Sequence, residues 1–282
     1  MTTETELNPA DAAPFLIECT QGTPEWHQAR VGLTTASTFS VAVSVLEKDS
    51  PKKDKEGNPV RRKGDPTAAA EELANDTAME VISEEPYGDT YQTFAMKRGS
   101  EEEWRARDAY QRKYDCEVDE RGLMVTADRQ FGYSTDGAVV GTKGGIEVKT
   151  PMNTMKITEM LNSSDTAEYD HQIQGGMWIC GWEWIDFIMW LPSLSKIGNE
   201  LYVKRVYRND DFIDKMVAGL LAHRKLVMER VAFFSIPHDQ RPGMAGSANI
   251  VTDVVPREII KPAEKKIVVP KLEAPEGLGG IF

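Results

Sequence analysis

The sequence predicts a mixed α/β fold, in which a central mixed β-sheet is flanked by helices. Two patterns support this prediction. Short strand-like runs broken by glycines fill residues 117–150 and return at 184–207, and stretches with helical periodicity precede, separate and follow them. A length of 282 residues and a hydrophobic share of 40% allow one elaborated α/β domain with appendages. They exclude wholesale disorder and fibrous architectures.

The N-terminal part of the chain predicts helices separated by polar segments. Residues 1–14 are polar and aperiodic and predict a flexible leader. Thr23 and Pro24 predict a helix start, with an N-cap threonine followed by a proline at the first helical position. Two longer helices are predicted, one from Thr67 onward in a run of helix formers and one at about 93–114.

A basic loop insertion is predicted at residues 48–66. This segment carries seven Lys and Arg against four Asp and Glu, a net charge of +3, together with three prolines and two glycines. Prolines and glycines at this density disfavour helices and central strands. The segment is therefore predicted to be solvated, and its positive charge is unusual in an acidic chain.

Strands and helices alternate in the second half of the chain. Three adjacent strands are predicted within 117–150, then a helix at 169–181, two more strands, and a long amphipathic helix at 209–232. The strand sequences are, in order, GLMVTA, FGYSTDGAVV, GGIEVKT, WIDFIMWL and ELYVKRVY. Beyond about residue 242, prolines spaced along the chain interrupt any regular helix or strand pattern. The predicted domain covers residues 15–242, and a Pro-containing C-terminal tail covers 243–282.

Charge and cysteine content exclude several classes of protein. A formal net charge of −12 argues against a uniformly basic nucleic-acid-binding surface, although it leaves room for a local basic channel. Cys19, Cys116 and Cys180 are far apart and lack a CxxC pair, so they predict neither a disulfide framework nor a four-cysteine iron–sulfur site. No membrane span or secretory signal is predicted, so we expect a cytoplasmic protein.

A pair of carboxylates followed by a lysine lies in the central strands. Asp136 belongs to the segment STDG, and Glu147 and Lys149 follow in the next strand. Because alternate residues of a strand share a face, Glu147 and Lys149 point the same way, while Ile146 and Val148 face the opposite layer. If the two strands pair antiparallel, Asp136 and Glu147 converge at one end of the sheet.

This arrangement suits the chemistry of a magnesium site. Two carboxylates with waters and a phosphate oxygen match Mg²⁺, which takes one or two carboxylates and keeps part of its hydration shell. Lys149 would orient or deprotonate an attacking water, or neutralise charge that develops on a phosphate. The alternative is an exposed cross-strand salt bridge, which contributes at most ~1 kcal/mol and has no catalytic role.

Five ordered blocks extend this pattern from residue 22 to about residue 233. The blocks are GTPEWHQARVGLTTAS, the G-x3-E-x2-A-x3-Y helix of residues 99–110, STDG, GGIEVKTP, and YDHQIQGGMW followed by WIDFIMW. In this order they resemble the phage lambda exonuclease and YqaJ-type viral recombinase family, a branch of the PD-(D/E)xK nucleases. The resemblance implies a PD-(D/E)xK restriction-endonuclease-like core. The sequence has Thr135 where the family signature has proline, and the aspartate that would bind metal is retained.

The resemblance also implies roles for individual residues. The residues implied in binding Mg²⁺, for which Mn²⁺ would substitute, are Asp136, Glu147 and Val148 through its backbone carbonyl. Those implied in catalysis are Lys149, Glu103 and Gln172. Those implied in gripping the 5′ phosphate of a DNA end are Arg30 and Ser37, since a guanidinium and a hydroxyl can both bind phosphate oxygens.

Simpler roles are open for several side chains. Glu103 would pair with Arg107 along a solvated helix face. Arg30 would be an ordinary surface residue and Ser37 a helix cap. His171 is expected to be a hydrogen-bonded helix residue with no catalytic role. Core packing rather than base stacking is expected for the tryptophans Trp178, Trp182, Trp184 and Trp190.

The function implied by the resemblance is an Mg²⁺-dependent 5′→3′ exonuclease. Such an enzyme digests one strand of linear double-stranded DNA from a 5′-phosphorylated end and leaves a 3′ single strand for phage-type homologous recombination. The resemblance further implies a homotrimer, a single-strand annealing protein as partner, and a phage or prophage gene expressed in a bacterial cytoplasm. We expect the loop 48–66 to be a partly disordered element that contacts DNA near the channel entrance. The tail is expected to tether or dock the annealing protein, and the alternative is a flexible end or an arm packed on a neighbouring subunit.

Two other functions compete with this interpretation. One is an endonuclease on the same fold, either a restriction or a junction-cleaving enzyme. Arg30 and Ser37 argue against it, because an enzyme that cuts within a strand needs no receptor for an end. The other is a nuclease-dead, DNA-binding recombination accessory, against which the intact carboxylate and lysine set argues.

Overall fold

The computed structural model describes residues 13–88 and 94–241, without the side chains of residues 94–96 and 239. The chain divides into two compact units, residues 1–237 and 238–282. The described part of the second unit is the short stretch 238–241, which contains the 3-10 helix His238–Gln240. Most of the predicted leader and the whole predicted tail lie outside the described residues. The sheets and α-helices described next belong to the first unit.

The strands of the described residues form two mixed sheets. Their bounds are β1 (Phe15–Ile17), β2 (Thr34–Thr35), β3 (Val118–Asp119), β4 (Leu123–Val125), β5 (Phe131–Ser134), β6 (Gly137–Val139), β7 (Gly144–Lys149), β8 (Trp184–Trp190) and β9 (Leu201–Tyr207). A four-stranded sheet has the order β1-β4-β5-β2, and a five-stranded sheet has the order β3-β6-β7-β8-β9. The pairs β2–β5 and β7–β8 are parallel, so the mixed character predicted for a single central sheet is found in both sheets.

Helices flank these sheets. Their bounds are α1 (Pro24–Ala29), α2 (Phe39–Ala42), α3 (Ala68–Ser83), α4 (Phe94–Tyr114), α5 (Thr154–Ser163), α6 (Asp170–Cys180) and α7 (Asp210–Phe234). The helix starts predicted at Thr23 and Thr67 are confirmed, since their hydroxyls accept hydrogen bonds from the backbone N–H groups of Trp26 and Ala70. The helix α5 is an addition to the predicted elements. None of its residues is fully buried, but Ile157 and Met160 pack against the main core cluster.

The predicted strand FGYSTDGAVV is two strands in two different sheets. β5 ends at Ser134 in the four-stranded sheet, and β6 begins at Gly137 in the five-stranded sheet. Between them the Thr135 hydroxyl accepts a hydrogen bond from the Gly137 N–H at 3.1 Å, a local bond that turns the chain. The prediction of one continuous strand was wrong because this side-chain bond interrupts it. The consequence is that Asp136 lies where the chain passes from one sheet to the other.

Apolar side chains cover both faces of the five-stranded sheet. On β7, Ile146 and Val148 pack into a cluster with Ala106 and Tyr110 of α4. A larger cluster brings α2, α6 and α7 together with strands of both sheets. Trp182 and Trp190 are buried and Trp178 packs against the larger cluster, in line with the predicted packing role. No helix in the described ranges is long and apolar enough to cross a membrane.

The buried His223 on α7 predicts a pH dependence of stability. It is 4% exposed, and neither ring nitrogen has a hydrogen-bond partner among the described residues. Burial, followed by the neighbouring Arg224, lowers the pKa of His223 to about 4 from an ordinary 6.5. Between these values the unfolded chain binds a proton that the folded chain does not. The free energy of unfolding should therefore fall as pH drops through this window, by on the order of 2–3 kcal/mol.

Urea unfolding at about pH 7 and about pH 4.5 measures this loss. His223→Leu and His223→Gln both remove the titrating group, one with an apolar and one with a polar side chain. Both variants should lose less stability than the wild type between the two pH values. An identical loss in all three proteins would assign the acid sensitivity to other groups.

Candidate active site

A cleft of about 430 Å³ brings together every side chain that the sequence nominated for the site. The cleft is lined by residues from α1, α4, α6 and strands of both sheets. The nominated residues that line it are Arg30, Ser37, Glu103, Asp136, Glu147, Val148, Lys149 and Gln172. They come from segments up to about 140 residues apart in sequence, so only the tertiary fold makes them neighbours.

Asp136 and Glu147 meet because β6 and β7 pair antiparallel. Gly137 lies opposite Ile146, so Asp136 is placed beside the end of β7. The Asp136 Oδ2 atom accepts a hydrogen bond from the backbone N–H of Val148 at 2.7 Å. This bond fixes the carboxylate against the strand that carries Glu147 and Lys149. The convergence expected from the sequence is therefore present.

Glu147 is 1% exposed and is held by three donors. Its Oε1 atom accepts hydrogen bonds from Lys149 Nζ at 2.7 Å and from Gln172 Nε2 at 2.6 Å. Its Oε2 atom accepts a hydrogen bond from the Tyr133 hydroxyl at 2.9 Å. The Gln172 Oε1 atom in turn accepts a hydrogen bond from Lys149 Nζ at 3.1 Å. A buried carboxylate needs such partners, because an unpaired charge in a low-dielectric interior is unstable.

Burial and repulsion between neighbouring carboxylates shift the pKa values of the residues that line the cleft. Burial, then the charges of Glu147 and Glu103, raises the pKa of Asp136 well above its ordinary value. For Lys149, burial acts to lower the pKa, but Glu147 and Asp136 outweigh it and the net shift is upward. Without a metal, these two carboxylates therefore favour the protonated form of Lys149, which donates hydrogen bonds to Glu147 and Gln172.

Glu103 both lines the cleft, as its predicted catalytic role requires, and pairs with Arg107, as the simpler alternative proposed. It reaches the cleft from α4, and its Oε1 atom also accepts a hydrogen bond from Arg107 at 3.3 Å. Arg107 bridges at the same time to Glu120 at 3.1 Å. Burial is the largest cause that raises the pKa of Glu103 to about 7, with Arg107 opposing it. This carboxyl group can thus gain or lose a proton near neutral pH.

Arg30 and two hydroxyl groups in and beside the same cleft can receive an anion. The Arg30 guanidinium stacks over the Trp26 ring at 4.1 Å and donates a hydrogen bond to the Thr35 hydroxyl at 2.9 Å. The Thr35 and Ser37 hydroxyls lie 3.3 Å apart. Within the described part of the chain, no carboxylate lies within ion-pairing distance of Arg30. A fixed guanidinium without an ion-pair partner, next to a hydroxyl, is a suitable receptor for a phosphate group.

Tyr133, the third donor to Glu147, was not among the site residues predicted from the sequence. Tyr133 comes from β5 of the four-stranded sheet and is 1% exposed. A Cβ atom at Gly176 would lie 2.7 Å from its ring, so only glycine lets α6 approach this closely. The Gly175-Gly176 pair within a helix was the available signal of close approach, but it does not reveal which ring occupies the space.

The cleft fits a divalent metal ion. Among the described residues, no three His, Cys, Asp or Glu side chains already form a metal-binding group. Magnesium, however, needs only one or two carboxylates with a carbonyl and waters. Asp136 and Glu147 supply two carboxylates and Val148 a carbonyl, and all three line the same cleft. A cation between them would also relieve the repulsion that raises the pKa of Asp136.

Comparison with known proteins gives the family. Residues 25–183, more than half of the chain, match the YqaJ-like viral recombinase domain. The chain belongs to this family. A member of this family is a nuclease that acts on DNA, and the PD-(D/E)xK nucleases to which the family belongs generally use divalent metal ions. A comparison with curated proteins gave no match.

Solved structures agree with this assignment. The alkaline exonuclease LHK-Exo from Laribacter hongkongensis is 25% identical, with a TM-score of 0.59, and the match covers 75% of this chain and 96% of that one. Its complex with dAMP gives a TM-score of 0.61 at the same identity and coverage. A phage-related exonuclease from Haemophilus somnus 129PT, 16% identical with a TM-score of 0.52, shares the fold over 72% of this chain and 96% of its own. The predicted PD-(D/E)xK core is thereby confirmed.

Removal of the Tyr133 hydroxyl should weaken metal binding by this recombinase-family protein. Tyr133→Phe takes away the donor to Glu147 Oε2 and leaves that carboxylate less well oriented. Outer partners of this kind typically contribute about 10–100-fold to metal affinity. We expect about a tenfold loss of Mn²⁺ affinity in isothermal titration calorimetry.

Tyr110→Phe is a matched control. The Tyr110 hydroxyl donates to another buried carboxylate, that of Asp186, at 2.6 Å. Its removal should cost a comparable ~1–2 kcal/mol of stability while metal affinity stays unchanged. Equal Mn²⁺ affinity in the wild type and Tyr133→Phe would show that this hydrogen bond does not orient Glu147 for a metal.

Proposed function

We propose that the protein is an Mg²⁺-dependent 5′→3′ exonuclease. It would digest one strand of linear double-stranded DNA from a 5′-phosphorylated end and leave a 3′ single strand for phage-type homologous recombination. One observation carries this proposal: a single cleft is lined both by the carboxylate and lysine set and by the anion receptor of Arg30 and Ser37. A nuclease that starts at an end needs both.

The chain's own residues divide the work between them. Asp136, Glu147 and the Val148 carbonyl would hold the metal, which supplies Lewis-acid activation of the phosphate and of a bound water. Lys149 donates hydrogen bonds as an ammonium and would stabilise charge that develops on the phosphate oxygens. Gln172 holds Lys149 in place through its carbonyl oxygen. The hydrogen bonds from Lys149 to Glu147 and Gln172 support the role of orienting the attacking water or neutralising charge on the phosphate.

The anion receptor favours an end-directed enzyme over an endonuclease. Arg30 is fixed by Trp26, whose indole N–H in turn donates to the Ser134 hydroxyl at 2.8 Å. A preorganised receptor loses little conformational entropy when a terminal phosphate binds. The buried, fully hydrogen-bonded Glu147 likewise argues against a nuclease-dead accessory, since a carboxylate so costly to bury has no structural need to be there.

The assembly and partners belong to the same proposal. A homotrimer would let an acidic chain of net charge −12 process DNA, with the acidic surface outside and cationic side chains such as Arg30 facing the substrate. The nominated protein partner is a single-strand annealing protein, and the nominated location is the cytoplasm of a bacterial host, with a phage or prophage origin. The resemblance to the phage exonuclease family is the support for each of these nominations.

The test compares linear and closed circular duplex DNA in the presence of Mg²⁺, with release of mononucleotides as the readout. We expect the linear, 5′-phosphorylated duplex to be digested and the circle to stay intact. Asp136→Ala and Lys149→Ala should abolish digestion, because the first removes a metal ligand and the second a donor to the phosphate. Their affinity for a duplex end, measured by fluorescence anisotropy with Ca²⁺, should stay within about tenfold, or ~1.4 kcal/mol.

Three outcomes would contradict the proposal. Cleavage of the circle as fast as the linear duplex would identify an endonuclease. Substantial digestion by Asp136→Ala would place the metal site elsewhere. Loss of duplex binding in both variants, by far more than tenfold, would show that the two residues support the DNA interface rather than the chemistry.

Arg30→Ala should impair digestion chiefly of 5′-phosphorylated ends. The guanidinium would pair with the terminal phosphate dianion and has little to bind on a 5′-hydroxyl end. We expect a loss of about tenfold or more on phosphorylated duplex, little change on hydroxyl duplex, and only partial rescue by Arg30→Lys, which cannot form the planar fork. The measurement is the ratio of the initial digestion rates on the phosphorylated and the hydroxyl duplex, compared between the variant and the wild type.

Arg112→Ala controls for the loss of one positive charge. Arg112 lies on α4 with its side chain 73% exposed and paired with Asp108, and it does not line the cleft. This variant should digest both ends like the wild type. If Arg30→Ala slowed both substrates equally, Arg30 would be a structural residue of the cleft wall.

A further inference from the structure

The basic segment between α2 and α3 is an ordered, irregular hairpin. We call residues 44–67 the basic hairpin. Its base is closed by the hydroxyls of Ser44 and Thr67, 2.6 Å apart, and by the bond from the Thr67 N–H to the Ser44 carbonyl at 3.1 Å. Rungs farther along join the two arms, including those from the Ser50 N–H to the Arg61 carbonyl at 2.8 Å and from the Val60 N–H to the Lys52 carbonyl at 2.9 Å.

The aspartate side chains of the hairpin serve to fold it. Asp54 Oδ1 accepts hydrogen bonds from the backbone N–H groups of Glu56 and Asn58, both at 2.9 Å, and so shapes the tip. Asp49 and Asp65 accept hydrogen bonds from backbone N–H groups of the opposite arm or of the adjoining turn, at 2.8 and 2.6 Å. These three carboxylates therefore stabilise the backbone and do not pair with the lysines around them.

Most of the basic side chains in the hairpin have no ion-pair partner among the described residues. Of the seven Lys and Arg in the segment, Arg61 pairs with Glu71 of α3 and ties the hairpin to the domain. The other six are exposed and have no ion pair or side-chain hydrogen bond among the described residues. These are Lys48, Lys52, Lys53, Lys55, Arg62 and Lys63. Six unneutralised cations on an ordered hairpin, in a chain of net charge −12, form a concentrated positive surface.

The hairpin begins close to the anion receptor in the chain. Ser37 lies in the 3-10 helix Ala36–Thr38, α2 follows directly, and the hairpin starts two residues after α2 ends. α2 is itself anchored by the buried Phe39, which packs against Gly175 of α6. The short, packed α2 thus connects the receptor for the strand end to the base of the cationic surface.

We propose that the basic hairpin binds the phosphate backbone of duplex DNA outside the catalytic cleft. This inference rests on the proposed function, since the cleft supplies the DNA end and the hairpin would hold the duplex that follows it. Each lysine or arginine that neutralises a phosphate releases counterions, so the contribution of the hairpin is electrostatic and independent of base sequence. Its ordered backbone presents the cations together, which lowers the entropy lost on binding.

The test is the salt dependence of duplex binding by the full-length chain. The variant combines Lys52→Gln, Lys53→Gln, Lys55→Gln and Arg62→Gln and keeps the Arg61–Glu71 pair. Affinity for a blunt duplex is measured by fluorescence anisotropy with Ca²⁺ over a series of salt concentrations. The slope of log affinity against log salt should become shallower by about two or more, since each phosphate that is no longer neutralised changes it by about 0.9. The duplex affinity should fall at least tenfold.

A matched control removes the same charge elsewhere. Lys113→Gln, Lys196→Gln, Lys215→Gln and Lys225→Gln together change exposed lysines that do not line the cleft and have no ion pair among the described residues. The control should keep the wild-type slope. An equal loss in both variants would overturn the proposal, because the effect would come from net charge alone. An unchanged slope in the hairpin variant would also overturn it.

Further arms separate the remaining outcomes. The variant with Lys52→Arg, Lys53→Arg and Lys55→Arg keeps the charge and should bind like the wild type. If the fourfold glutamine variant does not fold, as judged by circular dichroism, stepwise variants from Lys55→Gln onward replace it, and each should lower the slope by about 0.9. A loss as large on a single strand of the same sequence as on the duplex would overturn the assignment to duplex DNA.

Digestion of linear DNA by the wild type is measured in parallel. If the hairpin variant loses duplex affinity but the wild type does not digest DNA, the proposed exonuclease function is wrong and duplex binding by the hairpin is supported. If the wild type digests DNA but the hairpin variant keeps the wild-type slope of log affinity against log salt, only the proposal for the hairpin is wrong.

Discussion

The burial of the Glu147 carboxylate is the constraint on which the site depends. Glu147 lies on an interior strand of the five-stranded sheet and is 1% exposed, between two apolar neighbours that face the opposite layer. A charge in that position is stable only when donors surround it. The donors come from β5, β7 and α6, so one carboxylate links both sheets and a helix. A change to any donor alters the position of the others.

The same constraint explains why the cleft forms where the two sheets meet. Tyr133 reaches across from the four-stranded sheet to Glu147, and Gly176 of α6 allows this because a side chain at position 176 would collide with the tyrosine ring. Asp136 occupies the two-residue passage between β5 and β6, so the chain delivers it to this junction. Asp136 and Glu147 therefore converge for two reasons. The backbone path between β5 and β6 places Asp136 at the junction of the sheets, and the hydrogen bond from Tyr133 holds Glu147 there.

Charge is distributed unevenly along the molecule in a way that suits a polyanionic substrate. The acidic chain gathers carboxylates in the cleft, where a divalent cation can neutralise them, and the same cleft is lined by Arg30, a cation without an ion-pair partner among the described residues. The basic hairpin follows the same rule, since its aspartates bind backbone amides and its lysines stay exposed. Local arrangement, and not the net charge of −12, decides what each surface can bind.

The sequence by itself predicted the α/β class, the helix starts at Thr23 and Thr67, and eight of the residues that line the cleft. These follow from short-range rules: the alternation of a strand puts Glu147 and Lys149 on one face, and a threonine hydroxyl caps the N–H three residues on. Ordered motif blocks then supplied the distant members of the set. Only the tertiary structure decided the rest. It split FGYSTDGAVV between two sheets, chose Tyr133 as the third donor to Glu147, and showed that the aspartates of the basic segment bind its backbone and not its lysines. The physical reason is common to all of these. Periodicity fixes the face that a side chain takes on its own element, whereas its partner depends on which distant element packs against that face and how closely the backbones approach.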